Sequence, residues 1–329
     1  MSQGPGSATA PPGHAAVAAE PRPAARRRRR LGRRALRGTA PYVLLLPTAA
    51  VIGAVLGYPI YMLVKLSFQR YGLPELLAQK GVGIGLDNYR TIVHDSQFWD
   101  VLVRTIVFTV VNVGLTMFLG TLIALLLVKL GGFMRLLVTT GLVLAWAMPP
   151  VVAVNIFYWM VDFEFGVLNW TLTELHVGNF IHHEWFENPL SGFAVITAVI
   201  VWGAIPFVAI TLYAALTQVP GELVEAASID GAGAFRVFRD ITFPILKPIF
   251  LILTSLSVIW DFQVFNQVWI MRAGRPTEDY YLISIYSYVK SFGVSEYGLG
   301  SAIAVSMVLI MFAITFVYIR QMIRVGETT

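Results

Sequence analysis

The sequence predicts an all-α integral membrane protein with six transmembrane helices. Hydrophobic side chains make up 57% of its 329 residues and charged side chains only 13%. This is more apolar surface than a soluble domain of that length could bury. Six apolar stretches are each long enough for the roughly 20 residues that a spanning helix requires. A cluster of arginines directly precedes the first stretch, as in cytoplasmic anchors that face anionic headgroups.

Residues 1 to 38 are predicted to be a disordered, basic tail on the cytoplasmic side. The segment is rich in Ala, Pro, Gly and Arg, and nine of the 24 lysines and arginines lie between Arg22 and Arg37. It offers almost no large apolar side chains for a core. The apolar run at 41–66 is longer than the roughly 7–15 residues of a signal-peptide core, so an uncleaved first span is favoured. No role in nucleic-acid binding is expected.

Residues 39–329 are predicted to form one transmembrane domain. The predicted spans are residues 41–66, 101–128, 134–160, 192–217, 246–268 and 299–320. Lysine and arginine favour the cytoplasmic side of a membrane. The loop at 161–191 contains neither, but it has five acidic residues. We therefore expect that loop outside, with both termini and the polar loop at about 221–245 in the cytoplasm.

Motifs for ATP hydrolysis and for catalysis are absent. None of the lysines follows a glycine, so the G-K-[ST] end of a P-loop cannot be written. His182, His183 and Glu184 suggest a metal site, but Glu187 stands where the H-E-x-x-H spacing requires the second histidine. The chain is therefore predicted not to be an enzyme, with no catalytic residue, no metal site and no cofactor of its own.

Asp261 is the only acidic residue inside a predicted span. A carboxylate in hydrocarbon costs about 2.5–3.5 kcal/mol on insertion scales, so it should face the bundle interior or a water-filled cavity. Its neighbours combine amide groups and aromatic rings: Trp260, Phe262, Gln263, Phe265 and Asn266. Hydrogen-bonding groups beside aromatic faces suit sugars, so these six residues are the predicted substrate pathway. The alternative is that Asp261 pairs with a neighbouring helix and only stabilises the bundle.

A polar segment of helix-forming residues separates the fourth and fifth spans. It follows the pattern E-A-A-x3-G-x9-I-x-L-P, with Phe243 in place of the leucine. Gly231 is expected near the end of a short helix, where it permits either a tight contact with another backbone or a left-handed turn. Glu225 is expected near the N-terminal end of that helix, and Pro244 is expected to begin the next element. The pattern's positions are Glu225, Ala226, Ala227, Asp230, Gly231, Ile241 and Pro244. An ordinary amphipathic interfacial helix is the alternative.

This pattern resembles the loop by which bacterial ABC import permeases contact their ATPases. Further stretches resemble the carbohydrate branch of that family, which includes the maltose and glycerol-3-phosphate systems. They are Gly85-Leu86-Asp87-Asn88-Tyr89, the run from Ile259 to Phe262, Gly274-Arg275-Pro276-Thr277, Tyr288-Val289-Lys290-Ser291-Phe292 and the run from Tyr297 to Ala302. The resemblance covers about residues 41 to 322.

The resemblance implies a type I importer permease with a cytoplasmic coupling helix in a bacterial cell membrane. It implies a second, similar permease, two ATPase subunits that use ATP, and an extracytoplasmic solute-binding protein as partners. The implied function is import of a sugar, a di- or oligosaccharide, by alternating access. A secondary transporter or channel for a small polar solute is the alternative from another class, but the sequence shows no internal repeat to favour it.

Overall fold

The computed structural model describes residues 44–326, so the predicted tail at 1–38 lies outside the described residues. The helices in chain order are α1 (Leu44–Ser67), α2 (Leu73–Leu77), α3 (Asp87–His94), α4 (Ser96–Lys129), α5 (Gly132–Trp146), α6 (Pro150–Met160), α7 (Val167–Glu174), α8 (Pro189–Leu216), α9 (Gly221–Ile229), α10 (Ala234–Phe262), α11 (Asn266–Met271), α12 (Ile283–Tyr288) and α13 (Tyr297–Gly326). Two short strands, β1 (Gln69–Arg70) and β2 (Val82–Gly83), pair antiparallel. The prediction of an all-α fold is confirmed.

Five continuous helices are long and apolar enough to cross a membrane, namely α1, α4, α8, α10 and α13. They correspond to five of the six predicted spans. Contacts divide the chain after Ile60 into two units. In the first unit, every described residue is helical and exposed. The second unit contains the rest of the fold.

The third predicted span, at 134–160, is not one straight helix. Helices α5 and α6 meet at an angle of 98°, and the pair counts as a sixth span only if its two halves cross the membrane together. Pro149 and Pro150 stand at the break. Two successive prolines remove two backbone N–H donors, and each disfavours the helical conformation of the residue before it. The sequence interpretation underestimated this effect.

The fifth span is displaced towards the N-terminus relative to the prediction of 246–268. Helix α10 begins at Ala234 and ends at Phe262, so Pro244 lies inside it and does not begin a new element. A π-helical turn at Phe238–Thr242 precedes the proline. Its wider hydrogen-bond spacing lets the helix pass a residue that has no N–H to donate.

The core of the larger unit is built around α4. This helix packs along α8 and against α10, and the three share a buried cluster of Ala124, Val208, Leu212 and Leu253. A second cluster joins α4 to α12 and α13, and a third joins α6, α8 and α11. Helix α4 therefore holds together the elements that position both candidate sites.

The G-L-x-N-Y stretch has a structural role in this chain. The Asn88 amide donates hydrogen bonds of 2.9 Å to the carbonyl oxygens of Ser67 and Gln69, and the Tyr89 hydroxyl donates to the Ser67 hydroxyl at 2.7 Å. These bonds satisfy backbone oxygens just beyond the last turn of α1, which would otherwise lack partners. The stretch thus fixes α3 to the end of α1.

Candidate functional site

Helix α9 projects from the bundle with most of its surface free. Its nine residues include none that is buried. Ile229, at its end, is 86% exposed, and Phe235, at the start of α10, is 77% exposed. Large apolar side chains exposed on a polar segment between two apolar spans are typical of a surface that contacts another protein. The sequence interpretation did not single out either residue.

Gly231 terminates α9 in a Schellman motif, and the predicted turn is confirmed. Its φ angle is +79°, in the left-handed region where a residue with a Cβ is strained. The Ala232 N–H donates to the Ala227 carbonyl at 2.9 Å, and the Gly231 N–H donates to the Ser228 carbonyl at 3.1 Å. These are the two bonds of the motif. The segment therefore requires a glycine at this position.

Glu225 occupies a different place from the one predicted. It is the fifth residue of α9, in the middle of the helix, and Glu222 is the acidic residue of the first turn. The prediction that the helix dipole stabilises Glu225 is wrong, because that effect falls off within one turn. Glu225, Ala226 and Asp230 are exposed, so their side chains are accessible to a partner. Ala227 and Ile241 are half-buried, and Pro244 is exposed.

The predicted pathway residues cluster at the C-terminal end of α10, but they do not share one environment. Asp261 and Phe262 are buried, with 5% and 1% of their surface exposed. Trp260, Gln263 and Asn266 are exposed. Asp261 and Phe262 are the last residues of α10, Gln263 ends the helix, and Asn266 begins α11. The break between α10 and α11 after Phe262 separates the buried acid from the exposed amides.

Asp261 is buried without a partner from this chain. Its carboxyl group makes no hydrogen bond or ion pair with any described residue. Since α10 packs against α4, the acid lies among elements that offer it no compensating charge. The chain's own helices therefore do not supply the pairing that the structural alternative requires.

Aromatic rings surround Phe265, the half-buried member of the group. Its ring stacks on Trp269 with centroids 5.4 Å apart and meets the edge of Tyr288 at 5.2 Å. Trp260 makes a separate edge contact with Phe207 of α8 at 5.4 Å. The aromatic surfaces predicted around Asp261 thus exist, but on two different sides of the α10 end.

A polar stripe on α4 escaped the sequence interpretation. Thr109, Asn112 and Thr116 are each at most 4% exposed. The Thr109 hydroxyl, the Asn112 carbonyl oxygen and the Thr116 hydroxyl are all buried without a hydrogen-bond partner among the described residues. Their spacing of three and four residues places them on one face of the helix, and this spacing in an apolar run was the available signal.

The two adjacent histidines belong to an aromatic cluster on the loop before α8. The His183 ring meets Phe180 and Trp185 edge-on at 5.4 and 5.0 Å. Trp185 donates to the Asn169 amide oxygen at 2.6 Å. Within residues 44–326, no group of three or more His, Cys, Asp or Glu side chains is arranged to hold a metal ion.

Comparison with known proteins identifies the family. The sequence profile described as "Binding-protein-dependent transport system inner membrane component" matches residues 116–325. A diacetylchitobiose uptake system permease of Streptomyces coelicolor is 43% identical over 288 residues, which is 88% of each chain. A trehalose/maltose transport system permease of Thermococcus litoralis is 30% identical and covers 85% of this chain and 92% of its own.

The fold matches as well. A chain of a bacterial ABC transporter that imports alginate superimposes with a TM-score of 0.74 over 90% of this chain and 99% of its own, at 21% identity. That identity supports the fold alone, whereas the profile and the more similar relatives carry the family assignment. The chain belongs to the family of inner-membrane permease components of binding-protein-dependent ABC importers.

Proposed function

We propose that this permease carries a sugar, a di- or oligosaccharide, into the cytoplasm by alternating access. The observation that carries the cargo class is the 43% identity to a diacetylchitobiose permease over 88% of both chains. The trehalose/maltose permease and a sulfoquinovosyl glycerol permease, 33% identical, point to the same class of cargo. Family membership disfavours the secondary transporter or channel considered as an alternative, because this family works with a binding protein.

The end of α10 supports a pathway for a polar solute. A buried carboxyl group without a partner is costly. It is retained where it is used, and the hydroxyl groups of a sugar are suitable donors to it. The exposed amides of Gln263 and Asn266 and the ring of Trp260 would form the rest of the pathway, together with Phe262 and Phe265. A ligand shifts the two access states only through its different affinity for them.

Helix α9 is the proposed contact for the ATPase. Its exposed acidic side chains, Glu225 and Asp230, and the exposed ring of Phe235 offer both charge and apolar surface to a soluble subunit. The chain itself would not hydrolyse ATP and would bind no cofactor. Two ATPase subunits would bind and hydrolyse the nucleotide, and a second permease would complete the membrane unit.

The same assignment gives the orientation. Helix α9 and both termini would lie in the cytoplasm, and the acidic loop at 161–191 would face the solute-binding protein outside. The charge distribution supports this orientation, since 161–191 contains no lysine or arginine.

Uptake by the assembled transporter tests the proposal. The permease, its partner permease and the ATPase subunits would be reconstituted in proteoliposomes with the binding protein, and labelled diacetylchitobiose, maltose and trehalose would be supplied with ATP. We expect ATP-dependent accumulation of at least one of the three, and none when the binding protein is omitted. Accumulation of none of these sugars by a complex that hydrolyses ATP would refute the cargo class.

A further inference from the structure

A cavity of about 510 Å³ lies beside the end of α10, between α12, its π-helical extension Val289–Gly293, and the first turns of α13. Leu63 and Leu66 of α1 close one side. Its volume falls within the roughly 300–1,000 Å³ of small-ligand sites. Phe265 is the one predicted pathway residue that lines it. The cavity therefore shares one residue with the proposed pathway, and much of its lining lies in the Tyr288–Phe292 and Tyr297–Ala302 stretches.

Four serines line this cavity. Ser284, Ser287 and Ser291 are spaced by three and four residues, which places them on one helical face, and Ser301 faces them from α13. The Ser287 hydroxyl donates to the Gly300 carbonyl at 3.0 Å, and the Ser284 hydroxyl donates to the Val264 carbonyl. A hydroxyl that donates in this way keeps its lone pairs as acceptors. These two serines can thus still accept hydrogen bonds from a ligand.

The other two serines have free hydroxyl groups. Ser301 is only 6% exposed, yet its hydroxyl bonds to no described residue, and the Ser291 hydroxyl likewise has no partner in the described chain. Because Gly300 has no side chain, it leaves room for the Ser291 hydroxyl, which a Cβ at this position would overlap. Neither hydroxyl is committed to another group of the described chain, so both can still donate to a ligand or to water.

Part of the cavity wall is aromatic, with Phe265, Tyr288, Phe292 and Tyr297 among the lining residues. The Tyr288 and Phe292 rings lie 5.0 Å apart, and Phe292 meets the edge of Tyr297 at 5.8 Å. Through Phe265 and Trp269, which stack at 5.4 Å, the series continues to α11. Rings of this kind offer flat apolar faces, and Tyr288 and Tyr297 add polar hydroxyl groups at their edges.

We propose that this cavity is a sugar-binding subsite, in which one pyranose ring lies against the aromatic wall and its hydroxyl groups bond to the serines. The inference rests on the proposed function and adds a position for the cargo apart from Asp261. Pyranose rings present C–H groups on their faces and hydroxyl groups around their rims. A cavity lined by both aromatic rings and hydroxyl groups matches both surfaces.

Small residues that merely let membrane helices approach are the competing explanation for the serines. That explanation accounts for Ser287, whose hydroxyl bridges α12 and α13. It does not account for Ser291 and Ser301, which line the cavity and whose hydroxyl groups bond to no other described residue. These two positions therefore separate the two explanations.

The test compares Ser291→Ala and Ser301→Ala with Ser306→Ala in the reconstituted transporter. Ser306 is a matched control, because it lies on α13 outside the cavity and its hydroxyl donates to the Ala302 carbonyl of its own helix at 2.9 Å. The probes are diacetylchitobiose, maltose and trehalose. We expect each cavity variant to raise the KM of uptake by about three- to tenfold, as for the loss of one neutral hydrogen bond. The ATPase rate and the KM of the Ser306 variant should be unchanged.

A second measurement reports occupancy directly. The chain has no cysteine, so Ser291→Cys provides a single thiol whose alkylation can be followed by mass shift. We expect a transported probe to slow the alkylation of this thiol. If the wild type takes up a probe but the KM values of both cavity variants are unchanged and no probe protects the thiol, the subsite is overturned and the cargo class is not. Uptake of none of the three probes by the wild type would overturn the proposed cargo class and the subsite with it. An equal effect of Ser306→Ala would also overturn the subsite.

Discussion

Asp261 provides the sharpest separation of a transport role from a structural role. The acid is 5% exposed and has no hydrogen-bond or ion partner among the described residues. The carboxyl oxygens of Asp261 are not among the fully buried unpartnered atoms, so the cost of leaving it unpaired lies at the low end of about 1–3 kcal/mol. Replacing it with an apolar residue of similar size, Asp261→Leu, should therefore increase the stability of the complex, with a rise of a few degrees in the apparent Tm in detergent.

The same change should impair uptake. If a sugar hydroxyl donates to the carboxylate, losing that bond removes about 1.5–3 kcal/mol, which corresponds to about a 10- to 100-fold loss in kcat/KM for uptake. Asp261→Asn removes the charge but keeps an amide oxygen as acceptor, so its loss should be smaller. The expected result is a variant that is more stable and less active.

The assay combines thermal unfolding of the purified complex with ATP-driven uptake in proteoliposomes. Matched changes at Asp100, an exposed aspartate of α4, control for general effects of removing an acid. A lower Tm for Asp261→Leu would show that the acid stabilises the assembly, through the second permease for example. Normal uptake by Asp261→Leu would remove the residue from the pathway.

Three further predictions follow from the geometry. Gly231→Ala places a side chain at a φ of +79° and should cost about 1–2 kcal/mol locally, so ATPase co-purification and uptake should fall. The control is Gly233→Ala, at a φ of −69°, which should leave both unchanged. Equal behaviour of the two variants would refute the role of the turn. Val177 is 66% exposed, and a cysteine in its place should react with an impermeant thiol reagent in intact cells. A Ser228→Cys variant should be protected from the same reagent. The reverse result would mean that the proposed orientation is inverted. Asn88→Ala removes the amide that bonds to the carbonyl oxygens of Ser67 and Gln69, so it should lower the apparent Tm by several degrees. An unchanged Tm would show that water replaces the amide.

Five of the six spans and the turn at Gly231 could be predicted because they depend on short-range physics. Apolar length sets the number of spanning helices, and a glycine six residues after Glu225 suits the left-handed end of a short helix. The division of Asp261 and its neighbours into buried and exposed residues was not predictable, because it depends on where α10 ends and on packing against α4.

Both errors in the predicted helix boundaries occur at prolines. At one a predicted helix is broken, and at the other a predicted break is absent. Pro149 and Pro150 break a predicted span, since two donors are lost together at one point. Pro244 breaks nothing, since the π turn at Phe238–Thr242 absorbs it. The outcome at each proline depends on whether the preceding turn can widen, and neither hydropathy nor the motif contains that information.

The course of α10 connects the two candidate sites mechanically. The helix has 29 residues and is therefore about 40 Å long. Its N-terminal end follows Gly231 and the exposed α9, and its C-terminal end carries Asp261. The irregular features, the π turn and Pro248, lie in its first half. Beyond Pro248 the helix continues uninterrupted to Phe262, so displacement of that segment would move Asp261 as part of a rigid rod. An ATPase that shifts α9 would therefore act on the pathway through α10, whose irregular features lie towards the end nearest the ATPase.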